Sequence, residues 1–335
     1  MSYDYALSIA VVSFNTRDLL RDCLHALLAE CARLPGASSA EILVVDNGSR
    51  DGSAEMVARE FSATATPVRL IASAVNLGFG VANNRAIEQA RGRYIVLVNS
   101  DAFPHEGALA RALARMDADP TAGAGGARLV KRDGSWQPSA RAFPSIWCDA
   151  CLLTGLAKRF PRSRILAAAE RTWADPAEAA AVDWVTGAFL ILRRQALDTT
   201  GLFDPRFFLY CEEVDLCRRI HAAGFRVLYW PDIVVTHLHG ESSRQAGQEF
   251  SEHEAQILLW RMRSLLLYYR KHHGAQVWLA RWLEELLYML RYARNRYSST
   301  AARRARAQEA LRLIALVRQA WRETRGGRVS PPAPW

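Results

Sequence analysis

The chain has 335 residues, half of them apolar and 23% charged, which suits a globular protein with a sizeable core and excludes disordered and fibrous classes. Its formal net charge of +9 is confined to one end: from Ser251 onward sixteen Lys/Arg stand against six Asp/Glu, while the first 250 residues are close to neutral. A nucleic-acid coat, basic throughout, is thereby excluded, and a neutral body with a cationic tail is left to explain.

In chain order, Leu7–Phe14 is an apolar, β-branched run that predicts a buried parallel strand. Thr16–Cys31 has helical periodicity, with Leu19, Leu20, Cys23, Leu24, Leu27 and Leu28 on one face. Strands follow at Glu41–Val45, Val68–Ala72 and Tyr94–Val98, with helices at Ala54–Phe61 and Gly80–Ala90 between them. Strands alternating with helices predict a doubly wound, mostly parallel sheet, in which ligands bind beyond the carboxyl ends of the strands. Gly123–Val130 and Asp183–Leu192 read as further strands, with a Trp/Phe/Pro-rich stretch of uncertain order between them. Another strand is expected from Ile233. From about Glu254 only helices are predicted, including Arg303–Arg325, and Ser-Pro-Pro-Ala-Pro-Trp reads as a frayed end. The expected division is an α/β domain over 1–250 and a basic amphipathic helical extension over 251–335.

Six cysteines are too few for a disulfide scaffold, and Cys148-x-x-Cys151 has no second pair to complete a zinc site. The N-terminus lacks the basic segment of a signal peptide, and no apolar run approaches the ~20 residues that span a bilayer. A cytoplasmic location is expected.

Polar clusters follow the strand ends. Asp46, in Val-Val-Asp-Asn-Gly-Ser, is either a turn and cap residue or an acceptor for a ring N–H of a nucleobase. In Asn76-Leu-Gly-Phe-Gly-Val-Ala-Asn-Asn84, Gly78 and Gly80 allow close backbone approach to a ligand at a helix start. Asn99-Ser100-Asp101 suits a hard divalent cation shared with phosphate oxygens, since Mg²⁺ commonly takes one or two protein carboxylates. Glu212, Glu213 and Asp215 stand at a helix start beside an aromatic cluster, where apolar neighbours raise a carboxyl pKa toward the range of a general base. His237 ends a strand as the acids do and is a candidate metal ligand.

Taken in order, the segments VVSFNTRDLL, VVDNGSRDGS, NLGFGVANN, VLVNSD, DWVTGAFLILRR, FDPRFFLYCEEVDLCRR and HLHGES resemble the inverting glycosyltransferases of family 2, and within them the rhamnosyltransferase-like branch. The resemblance covers about Leu7–Ser243. It implies a GT-A, nucleotide-diphospho-sugar transferase fold with a C-terminal helical extension. By that resemblance Ser13, Phe14, Asn15 and Asp46 would hold the nucleoside, and Asn76, Gly78, Phe79 and Asn83 would line the nucleotide-sugar pocket. Asn99, Ser100 and Asp101 would occupy the D-x-D slot, with Asp101 and His237 the ligands of Mg²⁺ or Mn²⁺. Trp184, Gly187 and Ala188 would shape the donor-sugar and acceptor site. Glu212-Glu213 stands where the family has Glu-Asp, whose second member is the base. Because Glu213 is one methylene longer, the base could be Glu213, Glu212 or Asp215.

The implied reaction is transfer of a sugar, rhamnose from dTDP-rhamnose above other dTDP- or UDP-sugars, to a hydroxyl of a cell-surface glycan or lipid-linked saccharide. Two other classes compete: a non-catalytic nucleotide-sugar-binding protein on the same fold, and a membrane-binding adapter. The cationic tail suits either an interfacial helix on an anionic inner leaflet or a packed helical bundle, and it would serve a homodimer as readily.

Overall fold

A computed structural model describes residues 3–35, 39–238 and 252–331. The His239–Ser242 part of the last motif and most of the expected frayed end lie outside them. Strands and helices alternate through β1 (Tyr5–Ser13), α1 (Arg17–Cys31), β2 (Ala40–Asp46), α2 (Ser53–Glu60), β3 (Val68–Ala72), α3 (Phe79–Gln89) and β4 (Gly92–Asn99). After β5 (Ala102–Pro104), α4 (Ala108–Ala118) and β6 (Ala122–Val130) come two short strands, β7 (Trp136–Gln137) and β8 (Ala140–Arg141). Helices α5 (Ile146–Leu153) and α6 (Leu156–Arg159) follow, then β9 (Ala180–Ala181), β10 (Trp184–Val185), β11 (Phe189–Arg193), α7 (Arg194–Thr200), α8 (Glu212–Ala222) and β12 (Arg226–His237). Three long helices close the described chain: α9 (Glu252–His273), α10 (Gln276–Asn295) and α11 (Ala301–Glu323).

Two compact units result. The first is Met1–Phe143, Glu170–Asp204 and Glu213–Ser242; the second is Pro144–Ala169, Pro205–Glu212 and Ser243–Trp335. In the first unit the strand order is β3-β2-β1-β4-β11-β6-β12-β5. The β3-β2-β1-β4 half is parallel, as the sequence predicts, because each strand is returned by a helix. β1, β2 and β4 are buried on both faces, so they carry unbroken apolar runs rather than alternation. β11 enters antiparallel between β4 and β6, and β6 then pairs parallel with β12.

Two strand expectations are corrected. Asp183–Leu192 is not one strand: Trp184–Val185 pairs with β8 in a separate ribbon, and only Phe189–Arg193 joins the main sheet. The chain changes sheets at Gly187, where a Cβ would stand 2.8 Å from the Phe79 ring, so only glycine passes. The last strand starts at Arg226, well before Ile233, and carries a register shift between Trp230 and Val234. Pro231 lies in that shift, and having no N–H to give the ladder it belongs in a bulge.

The small residues of Ala122–Ala127 also have a packing reason. A Cβ on Gly126 would meet Val185 at 2.6 Å, and one on Gly125 would overlap the Trp230 ring. β6 therefore lies flat beneath large neighbours.

The second unit is helical. Its core gathers Leu259, Met262, Leu266 and Tyr269 of α9 with Val277, Ala280 and Tyr288 of α10 and Leu313, Ile314 and Val317 of α11. α5 packs against α10. Of the apolar residues in the cationic tail, Trp260, Leu266 and Leu267 are buried, whereas Trp278, Trp282 and Leu286 are exposed.

Candidate functional site

The site lies at the carboxyl ends of β1, β2 and β4, where polar residues end apolar strands. Ser13 and Asp46 are register partners on adjacent strands, so the first two clusters meet by topology alone. Asn15 takes a left-handed backbone conformation (φ 54°), which Asn tolerates better than most residues. Its backbone N–H donates to Ser49 Oγ at 3.0 Å, and its side-chain Oδ1 accepts from the Arg50 N–H at 2.8 Å. The two loops are thus cross-tied. Thr16 Oγ1 stands 2.9 Å from both Ser13 Oγ and Ser100 Oγ, adding the third cluster to the same knot. Phe14 is exposed at the rim.

Asp46 is buried. Its Oδ2 accepts from the Ser49 N–H at 3.2 Å, but Oδ1 is enclosed with no hydrogen-bond partner among the described residues. A buried carboxylate oxygen left in that state is costly, and a ligand donor at this position would satisfy it.

Asn47 braces the next loop. Its Oδ1 accepts from the Leu77 N–H at 2.8 Å and its Nδ2 donates to Asn76 Oδ1 at 2.9 Å. Asn76 Oδ1 in turn accepts from the Gly78 N–H. Gly78, at φ 79°, precedes α3 in a conformation that suits glycine, and Asn83 Nδ2 donates to the Phe79 carbonyl within the helix. Phe79 lies edge-on to Phe203, which Asn84 holds by both its main-chain N–H and C=O.

Asn99, Asp101 and His237 converge. His237 Nε2 is 3.3 Å from Asn99 Nδ2 and 3.4 Å from Asp101 Oδ1, and the Leu238 N–H donates to the Asp101 carbonyl. Gln137 Oε1 lies 3.4 Å from the other ring nitrogen, His237 Nδ1. No group of three or more His, Cys, Asp or Glu side chains gathers as a metal cage among the described residues. One carboxylate and one imidazole nevertheless form a donor set that fits a divalent cation whose remaining ligands are phosphate oxygens.

The three acids of α8 separate sharply. Asp215 is fully buried and paired with Arg219 at 2.9 Å. Arg219 also donates to the carbonyls of Thr200, Gly201 and Leu202, so this pair staples the turn after α7. Glu212 is buried and counts with the second unit. Glu213 lies in the first turn of α8, where an anion is favoured. Its Oε2 is enclosed without a partner among the described residues. Burial pushes its carboxyl above the ordinary range, outweighing the Arg141 charge and the backbone amides of Glu213 and Gly187 that favour the ionised form. Tyr210 and Cys211, just before the helix, both take left-handed backbone conformations (φ 70° and 66°), a local strain of the kind concentrated at functional sites.

Trp184 donates its indole N–H to the Ala142 carbonyl at 2.9 Å, and the Arg141 guanidinium lies 5.5 Å from its ring centre. The Ala188 carbonyl accepts from the Asn99 N–H at 3.1 Å, fastening the Gly187 passage to the end of β4. Beyond the sequence reading, the structure adds Thr16, Asn47, Asn84, Gln137 and Arg141. Asn47 and Asn84 were visible as the second Asx of their clusters; Gln137 and Arg141 sit on strands too short to leave a periodic signal.

A mostly parallel sheet with ligand-type residues at its strand ends is the build of a nucleotide-sugar enzyme of the GT-A class. Residues 8–191 match the model of Glycosyl transferase family 2, and the chain belongs to that family; it is a glycosyltransferase with a GT-A fold. It is 32% identical over 225 residues to an N-acetylglucosaminyl-diphospho-decaprenol L-rhamnosyltransferase of Mycobacterium tuberculosis (strain ATCC 25618 / H37Rv), covering 64% of this chain and 70% of that protein. Over 63 residues it is 36% identical to rhamnosyltransferase WbbL of Escherichia coli (strain K12), which is 19% of this chain and 24% of that one. Among solved structures, the mannosyltransferase PcManGT from Pyrobaculum calidifontis with GDP-Man and Mn²⁺ superposes with a TM-score of 0.56 at 17% identity, covering 96% of this chain and 90% of that one. GalNAc-T7 with UDP, GalNAc and Mn²⁺ gives 0.55 at 16% identity over 81% of this chain, which spans about half (52%) of that longer chain. Likeness at that identity establishes the shared fold.

Removing the Asp215 charge separates its structural part from chemistry. Asp215→Asn leaves the half-buried Arg219 without its carboxylate and should cost roughly 1–3 kcal/mol of stability by urea denaturation. Turnover per folded molecule should stay within about threefold of the wild type. Lost turnover at unchanged stability would make Asp215 a reacting group.

Proposed function

We propose that the chain transfers a sugar, rhamnose from dTDP-rhamnose, to a hydroxyl of a saccharide carried on a polyprenyl diphosphate, with inversion at the anomeric carbon. The observation that carries the chemistry is Glu213: a carboxylate on a helix N-terminus, with raised pKa and one enclosed, unpartnered oxygen. Donor and acceptor are suggested by the printed activity of the M. tuberculosis relative and by the branch that the motifs resemble.

The residues divide the work. Asp46 Oδ1 accepts a hydrogen bond from a ring N–H of the pyrimidine, and the Asn15–Ser49 cross-tie keeps that pocket in register. The loop braced by Asn47 brings Gly78 and Phe79 against the diphospho-sugar. Asp101 and His237, with Asn99 beside them, hold Mg²⁺ or Mn²⁺. When bound, the cation offsets the charge that develops on the nucleoside-diphosphate leaving group. Trp184, Gly187 and Ala188 border the sugar and acceptor. Glu213 takes the acceptor hydroxyl proton as that oxygen bonds to the anomeric carbon, while the carbon–oxygen bond to the diphosphate breaks on the opposite face. The extra methylene of Glu, relative to Asp, is accommodated because Glu213 Oε2 is buried and uncommitted, whereas Asp215 is tied to Arg219. A polyprenyl-linked acceptor resides in a bilayer, so the enzyme works at a membrane surface. No described helix is long and apolar enough to cross one.

Glu213→Gln should lower transfer by about 10²- to 10⁴-fold while donor affinity by calorimetry is kept. Because the raised pKa belongs to the folded state, the ionised carboxylate costs stability at neutral pH and the cost vanishes below the ordinary carboxylate range. The Gln variant should therefore melt higher than wild type near pH 7, with the gap closing as pH falls. In wild type, kcat/KM should fall on acidification at a pH above that of an exposed carboxylate. An equal melting temperature with full turnover would remove Glu213 as the base.

Asp101→Ala, or His237→Ala, should weaken Mn²⁺ binding in the presence of the nucleoside diphosphate by about tenfold or more, read by calorimetry. Unchanged Mn²⁺ affinity in both variants would move the cation elsewhere.

A further inference from the structure

The second unit carries apolar surface that its own core does not use. On α10, Trp278, Leu279, Trp282, Leu286 and Leu290 are each between 44 and 57% exposed. At 100° per residue they fall within an arc of about 120°, a stripe some 20 Å long running down the helix. No charged residue falls in that arc from Trp278 to Ala293. The stripe is held from behind: Arg281 stacks on Trp282 and Trp321 at 5.1 and 4.9 Å and donates to Glu285, and Trp278 packs on Trp321 at 4.3 Å.

A second patch belongs to the same unit. Trp147 and Leu152 of α5, which packs on α10, are exposed, as are Leu156, Phe160 and Ile165 just beyond it. Among them stand Lys158, Arg159, Arg162 and Arg164, all exposed, and no acid occurs between Asp149 and Glu170. At the far end of α10, Arg294, Arg296, Arg303, Arg304 and Arg306 are exposed with no carboxylate in ion-pair distance among the described residues. Other arginines of this unit are paired, among them Arg261 with Glu284 and Arg318 with Glu285. These cationic side chains border the apolar surface.

We infer that the α10 stripe and the 147–165 segment form a membrane-contact face for an anionic phospholipid bilayer. The exposed charges nearest these apolar side chains, Lys158, Arg159, Arg162, Arg294 and Arg296, are cationic, the complement of an anionic leaflet. Exposed Trp and Leu on one helix face with Arg and Lys flanking them is the pattern of a helix lying in the interfacial plane. The inference extends the reading of a bilayer-borne acceptor and rests on it for its purpose, but vesicle binding needs neither donor nor acceptor and is scored apart from turnover.

The test is co-sedimentation of the full chain with phosphatidylcholine vesicles, with and without phosphatidylglycerol. Binding should require the anionic lipid and weaken with salt. Trp282→Ser with Leu286→Ser should reduce vesicle affinity by about a hundredfold, roughly tenfold for each side chain withdrawn from the interface. Lys158→Glu with Arg162→Glu should reduce it by about tenfold. Both variants should keep the wild-type melting temperature, and the surface exchange of apolar for serine makes misfolding visible there if it occurs. Equal binding to neutral vesicles, or undiminished binding by both folded variants, would overturn the inference. So would a wild-type dimer by light scattering that Trp282→Ser converts to monomer, because the stripe would then face a second copy.

Discussion

An unpartnered carboxylate oxygen inside a protein is unfavourable, and among the described residues the first unit holds three, Asp46 Oδ1, Glu213 Oε2 and Asp232 Oδ1, of which the first two belong to the candidate site. The rest of the site can be read as the framework that makes this tolerable. Asp46 is held at the end of a strand buried on both faces, with its other oxygen already committed to the Ser49 amide. Glu213 sits in the first turn of α8, with the Arg141 charge and the Gly187 amide partly offsetting its burial. The Asp215–Arg219 pair fastens that helix to the turn before it. On the proposed reading, stability is given up at Asp46 and Glu213, where a ligand would bring the missing donors.

The parallel half-sheet and its strand-end clusters were legible in the sequence because each obeys a local rule. Buried parallel strands show as unbroken apolar runs, and Asp-Asn-Gly-Ser or Asn-Ser-Asp ends them sharply. What was not legible depends on contacts between distant residues. That Asp183–Leu192 divides at Gly187 follows from Phe79, over a hundred positions earlier, occupying the space of a Cβ. The early start of β12 is hidden by Pro231, which reads as a breaker and is in fact a bulge within one long strand.

The acids of α8 make the same point for chemistry. Glu212, Glu213 and Asp215 are equivalent by composition, and helical spacing only sets Glu213 apart from the other two. Their environments then part them: Asp215 is spent on Arg219, Glu212 belongs to the second unit, and Glu213 keeps an uncommitted oxygen. The cationic tail divides likewise. Trp260, Leu266 and Leu267 are buried, while Trp278, Trp282 and Leu286 are exposed, so part of the amphipathic pattern is packed and part is surface.

A single displacement has a stereochemical signature that a double displacement through a glycosyl-enzyme cannot imitate. The anomeric configuration of the first-formed glycoside, followed by proton NMR during transfer from the nucleotide sugar, tests it directly. The account predicts a product of anomeric configuration opposite to that of the donor, from the earliest spectrum. A product that retains the donor configuration, or a glycosyl group trapped covalently on the protein, would contradict it.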